Sequence, residues 1–249
     1  MASQEIIIGE EQLLITDKGE VIKAKELLDY QHNLIQWDND YISAEIDSVD
    51  KVSSNLVTIL GAQGRTLQCS ESISFTDLSD NSISISDLKN EIHNAKVFRY
   101  WPKFGDISLN SFDIDLLGSS LSNQQYKRPN HYLKQTIPLY LSKLTKNSLS
   151  RLIDIMFKNG YMKHLDQKSK DLLIILLSKL GIYFDGQPKQ SSDNITGSIK
   201  LCKSKLGVNF NKTKKESIRY LTEQENNAIK ISFKTALKPV IGSFICQIN

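Results

Sequence analysis

The chain of 249 residues has little cysteine and little histidine. It has three cysteines, Cys69, Cys202 and Cys246, far apart and with no CxxC pair. That argues against a disulfide framework or a zinc site and for a reducing compartment inside a cell, cytoplasmic or nuclear. Each cysteine lies in a strand-like apolar stretch and reads as a buried structural thiol. Of the four histidines, no two stand at a metal-ligand spacing such as HxxxH. His32 is expected in a turn, His93 in a polar helix, His131 in a loop and His164 after a helix, as surface or capping residues. There is no Gly-rich phosphate loop, GxSxG elbow or catalytic Cys-His signature. No apolar run has the length of a membrane span. The start, MASQEIIIGEEQ, lacks the basic-then-apolar layout of a signal peptide. Repeats and low-complexity segments are absent as well.

What is present fits a globular protein with a real core. Hydrophobic residues make up 40% and charged residues 24% of the chain. The net charge of +3 decides little, but its distribution is uneven. Between residues 189 and 219 lie eight cations, Lys189, Lys200, Lys203, Lys205, Lys212, Lys214, Lys215 and Arg219, against the two acids Asp193 and Glu216. Such a run either follows a phosphate backbone or forms a solvated loop face.

Residues 1–112 read as β-rich. Two short apolar runs flank the turn signal Asp17-Lys18-Gly19, which predicts a hairpin, followed by a short helix near Ala24–Leu28. Strand-like pieces follow at Asn33–Trp37, Tyr41–Val49, Leu56–Leu60 and Thr66–Cys69, with turns at Asp-Asn, Ser-Ser and Gly-Ala-Gln-Gly between them. The character changes near residue 112. SFDIDLLGSSLSNQQ and QTIPLYLSKLTKNSLSRLIDIMFKNG hold helical patterns, and KSKDLLIILLSKLG is an apolar helix stopped by Gly181. Residues 186–216 read as polar, basic and irregular. Strand-like runs return at Ser198–Cys202, Ile218–Leu221 and Ala228–Phe233. The order is β-rich, helical, β-rich. It predicts an α+β protein in which one domain, 113–216, is inserted into another formed by 1–112 and 217–249.

That layout, with the words in it, resembles an intein: a protein-splicing Hint domain interrupted by a LAGLIDADG-type homing endonuclease. QLLITDKGEVIKAKELLD is similar to the first Hint hairpin and helix, and NLVTILGAQGRTLQCSESISFTD to the strands leading into the histidine-bearing block. FDIDLLGSSLSNQ and LSRLIDIMFKNGY resemble two LAGLIDADG helices, with close packing expected from Gly118, Ser119 and Ser120. IPLYLSKL and SKDLLIILLSKLGIYF resemble the flanks of the second. SIRYLTEQENNAIKISF and GSFICQIN resemble the closing Hint strands and the terminal asparagine.

The resemblance implies chemistry at particular positions. A LAGLIDADG nuclease needs one carboxylate at the end of each helix, to hold divalent metal against the scissile phosphate. The matching positions here are Asn123 and Asn159, and a neutral amide binds Mg2+ far less well. Cleavage is therefore expected to fail, with no cofactor; Mg2+ enters only if the nuclease is active. Only about a dozen residues separate Asn123 from the next helix, too few for a groove-reading sheet. Lys127, Arg128, His131 and Lys134 remain as phosphate contacts there, and the family analogy adds the basic run Lys189 to Arg219. Splicing needs an N-terminal Cys or Ser, a histidine donor in the block, and a histidine before the cyclising asparagine. The chain starts Met1-Ala2-Ser3, the block position is Ile73 with Ser70 in place of the threonine, and Ile248 precedes Asn249. Asn249 fits the cyclising residue and equally fits an ordinary last residue.

Three functions follow from these observations. The first is an intein-derived protein without splicing or cleavage that binds double-stranded DNA or a protein partner, which leans against an enzyme. The second is an active or mutationally inactivated intein or homing endonuclease. The third is an unrelated viral or phage structural or interaction protein. No membrane association is expected, and the oligomeric state is open.

Overall fold

The computed structural model describes residues 4–38, 40–123, 136–158, 160–191, 194–205, 213–235, 240–242 and 244–248. It begins with strands β1 (Gln4–Gly9), β2 (Leu13–Ile15) and β3 (Val21–Lys23) and a 3-10 helix at Ala24–Leu28. Strands β4 (Leu34–Asp38), β5 (Asp40–Ala44), β6 (Ile46–Gly61), β7 (Thr66–Cys69), β8 (Ile73–Thr76) and β9 (Ser82–Ile83) follow. Helix α1 (Ile85–Asn90), strand β10 (His93–Phe98) and helix α2 (Ser111–Asn123) come next. After a 3-10 helix at Leu139–Lys143 come α3 (Lys146–Met156), β11 (Tyr161–Leu165), α4 (Gln167–Leu180), β12 (Ile182–Ser191) and β13 (Asn194–Lys205). Strands β14 (Thr213–Phe233), β15 (Val240–Ile241) and β16 (Phe244–Ile248) close the chain. The chain is thus β-rich with a few helices. It divides into two units, one of Met1–Asp17, Val21–Arg99 and Asn211–Asn249, the other of Lys18–Glu20 and Tyr100–Phe210. No helix among the described residues is long and apolar enough to cross a membrane.

The first unit is built on one 11-stranded sheet in the order β1-β7-β6-β14-β10-β16-β15-β2-β3, with β8 on β16 and β9 on β8. Its spine is the antiparallel pair β6/β14, paired from Ile218 opposite Gly61 to Phe233 opposite Ile46 with register shifts between Tyr220 and Thr222 and between Ser232 and Phe233. Alternation supplies the core. Ile6 and Ile8, Val57 and Ile59, Leu67 and Cys69, and Ile229, Ile231 and Phe233 all bury one face of their strands. The hairpin at Asp17–Gly19 forms as the turn chemistry requires, β2 pairing β3 with Gly19 at φ 98°.

Three expectations are corrected. Ser53 and Ser54 do not turn. They stand in the middle of β6, opposite Asn227 and Asn226, because the partner strand satisfies their backbone. His93 is on strand β10 rather than in a helix, since α1 is closed off at Asn90 after its Ser84/Asp87 capping box. Residues 186–191 and 194–197 are not irregular but paired, β12 against β13, the strand expected at Ser198–Cys202 is part of β13, and residues 213–216 open β14.

The second unit holds α2, α3, α4 and the three-stranded sheet β11-β13-β12. Helix α4 starts where the Asp166 side chain accepts the Ser169 N–H, and it stops at Gly181, left-handed at φ 64°. Residues Ser169 to Lys179 are all buried, so α4 is the unit's central rod. Helix α3 presents Leu149, Leu152, Ile153 and Met156 to the interior at helical spacing.

Candidate functional site

The position expected for a block histidine and the end of the chain meet in one strand pair. Strands β8 and β16 run antiparallel with Cys246 opposite Phe75, Gln247 opposite Ser74 and Ile248 opposite Ile73. The tie of Ser70 N–H to the Ile7 carbonyl at 2.8 Å brings β1 to the same corner. Ile73 is 1% exposed, among apolar neighbours that include Phe75 and Phe244, whose rings meet edge to face at 5.7 Å. Ser70 Oγ lies 2.6 Å from Ser72 Oγ. Neither Ile73 nor Ile248 has a proton to give or a lone pair to take one. Residues 1–3 and Asn249 lie outside the described residues.

Helices α2 and α3 form a parallel pair. Leu109 N–H donates to Ser148 Oγ at 3.1 Å, Arg151 donates to Ser111 Oγ at 2.7 Å and to both Asp115 oxygens at 2.9 Å. A Cβ on Gly118 would stand 2.7 Å from Ile155 and 3.4 Å from Leu152. Partner numbers rise together along both helices, so the chains run the same way. Of the three small residues expected at this contact, Gly118 alone is buried, while Ser119 and Ser120 are exposed. The direction carries Asn123, at the end of α2, toward the end of α3. The side chain of Asn123 and the whole of Asn159 lie outside the described residues.

The residues do not fit the metal that a nuclease of the resembled family would hold. The two positions that the resemblance assigns to acids, 123 and 159, are amides, and no group of three or more His, Cys, Asp or Glu side chains among the described residues could hold a metal ion.

The basic run is divided. Lys189, Lys200, Lys203 and Lys205 are on β12 and β13 in the second unit, with Lys200 exposed. Lys214, Lys215 and Arg219 are on β14 in the first unit, where Lys215 and Arg219 are exposed. Lys214 turns inward. It donates to the Gln63 side chain, lies 3.7 Å from Glu216 Oε2, and is pushed down to about 8 by burial and by the Arg65 charge. Lys127, Arg128, His131, Lys134 and Lys212 lie outside the described residues.

Besides Lys170, which is fully buried on α4, two buried charge sites carry no local sequence signal. Arg65 Nε donates to Glu216 Oε2 at 2.8 Å, with side chains 1% and 2% exposed, and the Gln63 N–H occupies Glu216 Oε1 at 3.0 Å. In the second unit Lys179 is fully buried, donating to the carbonyls of Gly19 and Ser142 at 2.7 Å each. Its ammonium lies 5.5 Å from the centre of the Trp101 ring and 5.7 Å from that of Phe104. Burial pushes it down to about 7, against a smaller upward pull from Glu20. The free thiols of Cys69 and Cys246 are buried, and burial pushes both up.

No protein-family model and no curated protein matches the chain. Among solved structures, the Ssp DnaB mini-intein variant M86 is similar at 10% identity and a TM-score of 0.43, over 100% of this chain and 96% of that one. The TvoVMA intein is similar at 10% identity and a TM-score of 0.39, over 99% and 98%. A DnaB intein from Synechocystis sp. matches at 18% identity and a TM-score of 0.30, over 34% of this chain and 63% of its own.

Proposed function

We propose that this chain is an intein-derived protein that keeps a Hint-like scaffold, has lost both splicing and DNA cleavage, and acts by binding. The observation that carries this reading is the β8/β16 register. It sets Ile73 opposite Ile248, so the two positions that would move protons in splicing are both aliphatic. The parallel α2/α3 pair supports an inserted, LAGLIDADG-like second unit whose helix-end acids are replaced by Asn123 and Asn159.

The test places the chain between two reporter segments, with a cysteine at the upstream junction and Asn249 at the downstream one. The native sequence is expected to yield no ligated reporters by mass spectrometry. The Ile73→His/Ile248→His variant is expected to show cleavage at one junction. Ligation by the native chain would overturn the loss of splicing, and a folded but inert double-histidine variant would overturn the ancestry. Binding is tested separately with double-stranded DNA. An affinity that falls steeply with salt supports nucleic acid as the partner, through exposed cations such as Lys200, Lys215 and Arg219. Salt-independent or absent DNA binding points instead to a protein partner.

A further inference from the structure

On the far side of β8 from β16, the first unit holds a cavity of about 340 Å³ walled by Asp77, Leu78, Ser79, Ile83, His93, Asn94 and Lys215, with Ile83 on β9 paired opposite Phe75. Neither reading of the two inherited sites uses it. Its size is at the lower end for small-molecule sites. The strands and the 77–81 turn deliver groups of opposite kinds to its walls. Lys215 on β14 is exposed and makes no ion pair among the described residues. Asn94 on β10 accepts from Ser217 Oγ at 3.1 Å through its side-chain oxygen, which leaves its amide N–H donors for a ligand. Asp77 is held rigidly. Its Oδ1 accepts from the Ser79 and Asn81 N–H groups at 2.7 and 2.9 Å, and its Oδ2 accepts from the Asn81 amide at 3.0 Å. Two lone pairs of Oδ1 are thereby used, and one acceptor site on Oδ2 remains. The same bonds hold the Asp77 carboxyl below its ordinary range, so it is ionised at neutral pH. Leu78 and Ile83 give the cavity an aliphatic wall.

One anion, one cation, an amide donor and an aliphatic wall complement a small molecule that is itself dipolar and carries a short aliphatic group. We propose that this cavity binds a free aliphatic α-amino acid. The carboxylate of the ligand lies on Lys215 and Asn94, its ammonium on Asp77, and its side chain on Leu78 and Ile83. His93, whose Nε2 is 3.3 Å from Glu91 Oε1, closes the wall beside Asn94. The proposal does not rest on the β8/β16 corner or the helix pair, and it shares only Lys215 with the cations named for DNA binding.

The experiment is calorimetric titration of the full chain with L-leucine, N-acetyl-L-leucine, L-leucinamide and inorganic phosphate. Leucine is expected to bind saturably. Loss of either ligand charge is expected to weaken binding by about tenfold or more, as is the exposed-site substitution Lys215→Met. Phosphate is expected to give no saturable signal. Leucine that fails to saturate, or leucinamide and N-acetyl-leucine that bind as well as leucine, overturns the proposal. Phosphate binding lost in Lys215→Met overturns it too, and marks a plain anion site. Leu78→Asp, on an exposed side chain, provides the second variant, expected to weaken leucine while leaving the circular dichroism spectrum unchanged.

Discussion

The two units bury charge in opposite ways. In the first, Arg65 and Glu216 are sealed together at 2.8 Å, cation against anion. In the second, Lys179 is sealed without a carboxylate at hydrogen-bond distance among the described residues, held by two carbonyls and two aromatic faces. The difference teaches where each unit is vulnerable. A buried ion pair tolerates a broad range of pH but not the loss of one partner. A buried lysine held by neutral groups can shed its proton, so its unit answers to pH. The chain has two tryptophans, Trp37 in the first unit and Trp101 in the second, so single Trp→Phe variants read each unit by fluorescence.

The largest effect is expected from Glu216→Ala. It strands the Arg65 guanidinium in the interior, at a cost of about 3–5 kcal/mol. Urea unfolding read by Trp37, in a Trp101→Phe background, should show the loss. A midpoint shift below a third of that size would mean that Arg65 reaches solvent without its partner. Next comes Gly118→Val in the second unit. A Cβ there meets Ile155 at 2.7 Å, so the helix pair must part, at about 1–3 kcal/mol. Trp101 should report this transition in a Trp37→Phe background, and an unchanged midpoint would mean that α2 and α3 are not in contact in solution.

The most discriminating effect is that of pH. Lys179 titrates near 7 in the folded chain against 10.5 when unfolded. Between those values the unfolded chain holds the proton and the folded chain does not. Stability of the second unit therefore rises as pH increases from about 7 to about 10, and it is flat with respect to this group below 7. Lys179→Met should reduce that rise, leaving only the part due to Lys170, which burial also pushes down. A native chain whose Trp101-read stability stays level or falls over the same window would show that the carbonyls and rings keep the ammonium charged.

Short-range chemistry is legible in the residues themselves. The Asp17-Lys18-Gly19 hairpin, the helix over Ala24–Leu28, the strand at Thr66–Cys69 and the Gly181 stop all depend on neighbours a few residues away. The two strand pieces on either side of Ser53-Ser54 do not read as one. Polar residues at mid-strand look like a turn until a partner such as Asn226-Asn227 supplies their hydrogen bonds. Of the β12/β13 hairpin only Ser198–Cys202 is legible, because Ile199 and Leu201 alternate there, while the polar QPKQS end of β12 shows its strand only through its partner. The basic run Lys189 to Arg219 is one stretch along the chain. The fold places its members in two units and turns Lys214 away from solvent.

By itself, then, the sequence determined which residues are at the positions that the intein resemblance singles out: isoleucine at 73 and 248, asparagine at 123 and 159. Residue identity is enough to say that these side chains move no protons and carry no negative charge. Only the tertiary structure decided that Ile73 and Ile248 are opposite one another, that α2 and α3 run parallel through Gly118, and that Arg65 finds Glu216 across about 150 residues of chain. Those pairings join segments far apart in the chain. They are selected by burial and hydrogen-bond satisfaction over the whole fold, which no local stretch of sequence encodes.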